Sequence, residues 1–419
     1  MTQNKDTNRI FFLDNLRYLM VLLVVILHST LSYSNLVPWW CVIEPNKFSA
    51  FFAVLFMLLD VFLMPVLYFI AGYFAISSFQ KKGAFLFLRR KFKRLGLPLL
   101  ICIPLMNPFG GYVYHYTRND FSYYPSFCGY WVNYIKNAGN FQIGILYPPD
   151  QFSHAHLWFM SLLLLFFVIF ALYANKNKWH VDSASPDSSG DSSGKSILAI
   201  FVAVGFVSTV SAFIAHLIFA APSNPDPFVI IGNFLQFQPS RIVSYMLYFG
   251  MGIYAFHKKW FINAKIPGHP GVWTISCVLL SFCLLIILKQ LKGNFSIGIL
   301  FLLYLSVRSF LCVSFLSAFI LWAGRYWNRS SHFDALLASN SYHVYIIHFV
   351  IVIIIQLLLS GWSECSVFIK FGIVSFGSIL ISYGISQYAV RPYPRLSVIG
   401  IYALFIIMLI YESISLPSN

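Results

Sequence analysis

The chain has 419 residues, 59% of them hydrophobic and only 10% charged, with a mean hydropathy of +0.74. A soluble domain of this size carries far more charge on its surface, so composition excludes one. The formal charge of +15 comes from basic residues set between apolar runs, which reads as membrane orientation and not as nucleic-acid binding.

Apolar runs long enough to cross a hydrocarbon core of about 30 Å recur along the whole length. Inside that core the backbone must satisfy its own hydrogen bonds, which leaves helices or closed barrels. The runs are too continuously apolar for alternating barrel strands. The expected fold is therefore an all-α, polytopic transmembrane helical bundle of 10–11 spans. In chain order the spans fall at roughly 13–34, 51–76, 95–107, 157–175, 196–220, 241–257, 272–288, 298–322, 335–358, 367–390 and 398–415. The third is short and carries Pro98 and Pro104, so it reads as a thin or re-entrant span. Residues 1–397 form the main bundle, and 398–419 add an extra C-terminal span. The first run follows Asp14 and Arg17, lacks a small-residue cleavage site, and reads as a retained helix.

Basic residues orient the bundle. With the N-terminus on the cytoplasmic side, the inner segments hold 19 Lys and Arg and the outer loops 5. Two connections stand out. Residues 176–195 include a Ser, Gly and Asp tract that reads as a flexible cytoplasmic linker. Residues 107–156 read as a long outer loop, and its many tyrosines argue that it folds over the bundle. The seven cysteines show no metal-ligand spacing, so no metal is expected. Cys41, Cys128 and Cys365 fall in outer segments, where a disulfide is one option.

The first span carries the strongest chemical signal. At about 100° per residue, Asp14, Arg17 and His28 share one stripe, and His28 lies about 16 Å above Arg17, near mid-membrane. An ionisable residue there points to function, and an imidazole suits proton transfer near neutral pH. A histidine that only bonds a neighbouring helix is the plain alternative. Asp60 is an expensive carboxylate inside the second span; it pairs with Arg17, Arg308 or His28, or belongs to a structural ion pair. Residues 81–94 pack seven Lys and Arg into 14 positions. Arg90, Lys91 and Arg94 there suit the phosphates of a nucleotide-like donor, against orientation and lipid binding as the ordinary reading. His156, before Trp158, and Tyr345 with His348, three apart on one face, complete the possible accessory set.

These motifs resemble the acyltransferase 3 family of integral membrane acyltransferases. RIFFLDNLRYLMVLLVVILH has the family's arginine and histidine, Arg17 and His28, separated by ten residues. KFKRLGLP stands where members carry an RxxR-type loop, with Lys91 in place of the first arginine and Arg94 as the second. HLWFM at 156–160 and SYHVYIIHF at 341–349 also resemble family stretches. The run FLMPVLYFIAGYF looks most like the branch that contains the glucan succinyltransferase.

The resemblance implies a plasma-membrane enzyme of the bacterial inner-membrane kind. It implies an acyl-CoA co-substrate (acetyl or succinyl) on the cytoplasmic side and a glycan or similar hydroxyl acceptor outside, with no bound cofactor. His28, with Asp14 and Arg17, would be catalytic. Arg17, Arg90, Lys91 and Arg94 would hold acyl-CoA. A secondary transporter using Asp60, Arg308 and His28 as an ionisable path is the competing class, although no paired halves are visible.

Overall fold

The computed structural model describes residues 10–44, 48–81, 83–119, 126–146, 151–177, 194–221, 224–261, 269–291, 298–329 and 331–415. The tract expected to be a flexible linker lies almost wholly outside them. Among the described residues the regular structure is helical apart from three short strands, in keeping with composition. Ten helical stretches among the described residues are long and apolar enough to cross a membrane.

In chain order α1 is Phe11–Ser34, α2 Ala50–Gln80 and α3 Gly83–Lys91. A π-helical turn, Phe92–Gly96, joins α3 to α4, Leu97–Thr117. Then follow α5 Phe127–Ala138, β1 Ile143–Ile145, α6 Trp158–Lys176 and α7 Gly194–Phe219. Next come β2 Val229–Ile231, β3 Leu235–Phe237, α8 Pro239–His257 and α9 Pro270–Leu291. The last are α10 Ile299–Tyr326, α11 His332–Ser360, α12 Val367–Ile385 and α13 Pro394–Ser415. The strands form one antiparallel sheet in the order β1, β2, β3.

The third span differs from expectation. Gly83–Thr117 runs as a single helical stretch through Pro104 and Pro108. Proline at 108 supplies no N–H to the carbonyl of Pro104, and the indole Nε1 of Trp131 on α5 donates to that oxygen at 2.9 Å. The freed backbone group thus has a partner, and the helix continues. The expected outer loop at 107–156 is correspondingly shorter: its first residues finish α4, and its centre forms α5 and β1.

Of the eleven expected spans, α8 alone is not among the ten. It opens on Ser240 and Arg241, which leaves a short apolar remainder. It nevertheless runs parallel to α2, with Arg241 beside Asp60 and Phe256 beside Tyr73. Gly72 and Gly252 permit the approach: a Cβ on either would strike the backbone of the other helix, at Phe249 and Phe69 respectively.

One face of the bundle gathers the start of α1, the end of α10 and the turn after α8. Asn15 Nδ2 donates to the carbonyls of Trp327 and Arg329, and Phe12 meets Phe261 edge to face. The opposite face gathers the segment after α1, the end of α11 and the sheet. Large apolar residues point outward from α9, among them Val278 and Phe282. In a bilayer these are lipid contacts, not a solvent-exposed patch. No residue in the window of α13 that qualifies as a span is buried, and Phe405 packs on Trp131 of α5. The seven cysteines are free thiols.

Candidate active site

The charged end of the α1 stripe opens a cavity of about 450 Å³ between α1, α2, α6 and α11. Arg17 pairs with Asp14 at 3.1 Å, and both line the cavity with Lys81, Lys91 and Arg94. Lys91 and Arg94, three residues apart, both reach it across the start of the π-helical turn. Lys91 lies 3.8 Å from the Phe167 ring centroid, and Arg94 lies over Tyr342, whose hydroxyl bonds the Arg94 carbonyl. Arg90 is exposed and does not line the cavity. Deeper, the walls turn apolar through Val21, Leu67, Phe159 and Met160, and Tyr345 stands at the back. The cavity is thus cationic at one end and apolar at the other.

His28 is not part of that lining. It lies beyond Tyr345, in a cluster with His156 and His348. Ring centroids are 5.0 Å apart for His28 and His348, 5.2 Å for His156 and His348, and 6.5 Å for His28 and His156. Tyr345 joins the cluster to the cavity: its hydroxyl donates to the His156 carbonyl at 2.5 Å. His156 and His348 are buried, whereas His28 keeps some exposed surface. Of the four accessory residues, His156 and His348 lie against His28, and Tyr345 packs on both of them. Asp14 lies apart: it remains with Arg17 at the cavity mouth, four turns of α1 away.

Asp60 takes the structural ion-pair option: it meets Arg308 at 2.9 Å, one of the expected partners, and Arg241 at 2.7 Å, which the sequence did not single out, and not Arg17 or His28. Arg241 also bonds Asp226 at 2.9 Å. This network fastens α2, α8 and α10 around a separate void of about 40 Å³ whose lining excludes His28. Asp60, Arg308 and His28, grouped as one ionisable set by the transporter reading, thus divide between two places, the first two on this void and His28 in the histidine cluster. Removing Asp60 takes the carboxylate from Arg308, a loss that costs about 3–5 kcal/mol in a fully buried pair and less at this partly exposed one.

Sequence reasoning missed the cover on the far side of His28. Trp40 is buried with its ring 5.8 Å from that of His28, and its Nε1 donates to Gln356 Oε1 at 2.9 Å. Gln356 in turn reaches the carbonyl oxygens of His28 and Ser29 at 3.5 and 3.4 Å. Arg118 donates to the carbonyls of Pro38, Trp40 and Cys41, and the buried pair Glu44–Lys370, at 2.7 Å, fastens the same segment to α12. A glutamine and a lysine inside otherwise apolar spans were the available signal. Burial pushes the Cys41 thiol up to about 12 in spite of the opposing charge of Arg118, so it stays protonated.

A polytopic helical bundle with a cation-mouthed cavity leading toward a buried imidazole cluster is the architecture of a membrane-embedded group-transfer enzyme. The acyltransferase domain that defines the acyltransferase 3 family matches residues 10–387, and the chain belongs to that family. It is a multi-pass membrane acyltransferase. Comparison with curated proteins and with solved structures finds no significant match.

Proposed function

We propose that the protein transfers an acyl group from acyl-CoA to a hydroxyl of an extracytoplasmic glycan or a similar acceptor, with His28 as general base. The observation that carries this reading is the polarity of the cavity. Arg17, Lys91 and Arg94 at its mouth match the phosphates and 3′-phosphoadenosine of CoA, and its apolar depth matches the pantetheine arm. Tyr345 stands between that depth and His28, and the thioester end passes it to react. The N-terminus and the cavity mouth then face the cytoplasm, in keeping with the excess of basic residues on that side. The catalytic bundle is 1–397, and α13 is an accessory span.

His28 takes the proton of the acceptor hydroxyl as oxygen attacks the thioester carbon, and returns it to the departing thiolate. Asp14 orients Arg17 and takes no part in proton transfer. Arg90 lies outside the cavity and is left to membrane orientation.

The test is CoA release from labelled acetyl-CoA and succinyl-CoA by protein in lipid nanodiscs, with product followed in vesicles that supply the acceptor. His28→Ala is expected to lose about 10²–10⁴-fold in kcat. Neutralising Lys91 and Arg94 together is expected to raise the donor KM about tenfold or more, with a smaller change in kcat. Full activity of His28→Ala removes it from the chemistry. An unchanged KM returns the basic residues to topology alone. The two donors also decide whether the glucan succinyltransferase branch is the right comparison.

A further inference from the structure

The carbonyls around the histidine cluster fix which nitrogens carry hydrogen. His348 is fully buried. Its Nδ1 lies 2.7 Å from the Tyr345 carbonyl oxygen and 3.2 Å from that of Val344. A carbonyl only accepts, so Nδ1 of His348 bears the hydrogen and Nε2 keeps the lone pair. That Nε2 is 3.3 Å from Nδ1 of His28, which is also 2.9 Å from the Val24 carbonyl oxygen. Both neighbours of His28 Nδ1 are acceptors, so it bears hydrogen and shares it between them. The lone pair of His28 therefore sits on Nε2. That atom has no hydrogen-bond partner among the described residues and belongs to the one ring of the three that is incompletely buried.

We propose that His348 is a positioning residue for His28: it accepts the Nδ1 hydrogen, aims the ring with Nε2 bare, and stabilises the imidazolium formed during transfer. The chemistry rests on the acyl-transfer reading above; the hydrogen bond does not. Val24 lies one turn back on the same helix and moves with it. His348 comes from α11, so its bond fixes the imidazole relative to Tyr345 and His156. In the step itself the acceptor O–H bond breaks and its proton goes to Nε2. The oxygen forms a bond to the acyl carbon, the C–S bond breaks, and the thiolate takes the proton back from Nε2. The histidine pair ends as it began. Where hydrolytic triads use a carboxylate to orient histidine, this site uses a neutral imidazole.

The experiment compares His348→Leu, which cannot accept a hydrogen bond, with His348→Gln, whose Oε1 can. In CoA release from acetyl-CoA, the leucine variant is expected to lose about 100-fold in kcat with an unchanged KM, and glutamine to restore at least a tenth of the wild-type rate. Equal losses in both variants, or a loss confined to KM, overturn the proposal. A second readout does not depend on turnover. With ¹⁵N-labelled histidine, a nitrogen–nitrogen coupling through the hydrogen bond joins His28 Nδ1 to His348 Nε2, assigned by its loss in His28→Ala. Absence of that coupling overturns the positioning role even where CoA release is normal. Coupling without any CoA release from the wild type overturns the acyl-transfer reading and the role with it.

Discussion

His154, two residues from the cluster, stands apart from it. Its Nδ1 faces Ser161 Oγ at 3.1 Å and its Nε2 the Asn233 carbonyl at 3.0 Å, tying the start of α6 to the β2–β3 turn. Burial pushes it down to about 4, so it stays neutral in the fold while the unfolded chain protonates near 6.5. The unfolded state then binds more protons as pH falls, and stability is lost between about pH 6.5 and 4. Thermal unfolding at pH 5 is expected to begin lower than at pH 7, with His154 contributing up to roughly 2 kcal/mol of the lost stability and His154→Gln reducing the difference by that share. A pH dependence unchanged in that variant would assign it to other groups. Among single residues the sequence reveals type but not company. Arg17 and His28 stand out by their stripe, whereas Asp60 finds Arg241, which lies 181 positions away. Helix order within the bundle decides such pairs, and no local pattern encodes it.

Helices were the most legible scale because lipid leaves the backbone one solution and hydropathy marks where it applies. The exceptions have local causes. Prolines at 98 and 104 argued for a thin or re-entrant span, and nothing local signals that Trp131 takes up the Pro104 carbonyl that Pro108 leaves free. The segment 35–44, singled out in the sequence only for Cys41, places Trp40 against His28. Arg118 holds it through carbonyls, which carry no sequence signature. Removing that guanidinium forfeits charge-assisted hydrogen bonds worth about 1.5–3 kcal/mol each in well-buried cases and less at this half-exposed site. Arg118→Ala is therefore expected to speed amide exchange at Trp40–Val42 about tenfold or more, with α9 unaffected. Exchange rates equal to the wild type would mean that Glu44–Lys370 and Trp40–Gln356 suffice to hold the segment.

For the whole molecule, the two ends of the site occupy different depths. The basic mouth lies at the level of Arg17, and the histidine cluster lies about 16 Å further along α1. That separation is close to what a donor must span when its nucleotide stays on one side and its thioester meets an acceptor from the other. Turn counting on α1 already placed both residues on one stripe. It could not show that the cavity stops at Tyr345, because that residue comes from α11.

The central claim is that the donor enters by the Arg17 mouth and delivers its sulfur to His28. An experimental structure of the protein with CoA bound in nanodiscs tests it most directly. The expected result has the phosphates against Arg17, Lys91 and Arg94, the Tyr345 ring displaced, and the sulfur within about 3.5 Å of His28 Nε2. CoA lying elsewhere, or in the cavity with Tyr345 unmoved and the sulfur held short of the histidines, would contradict it.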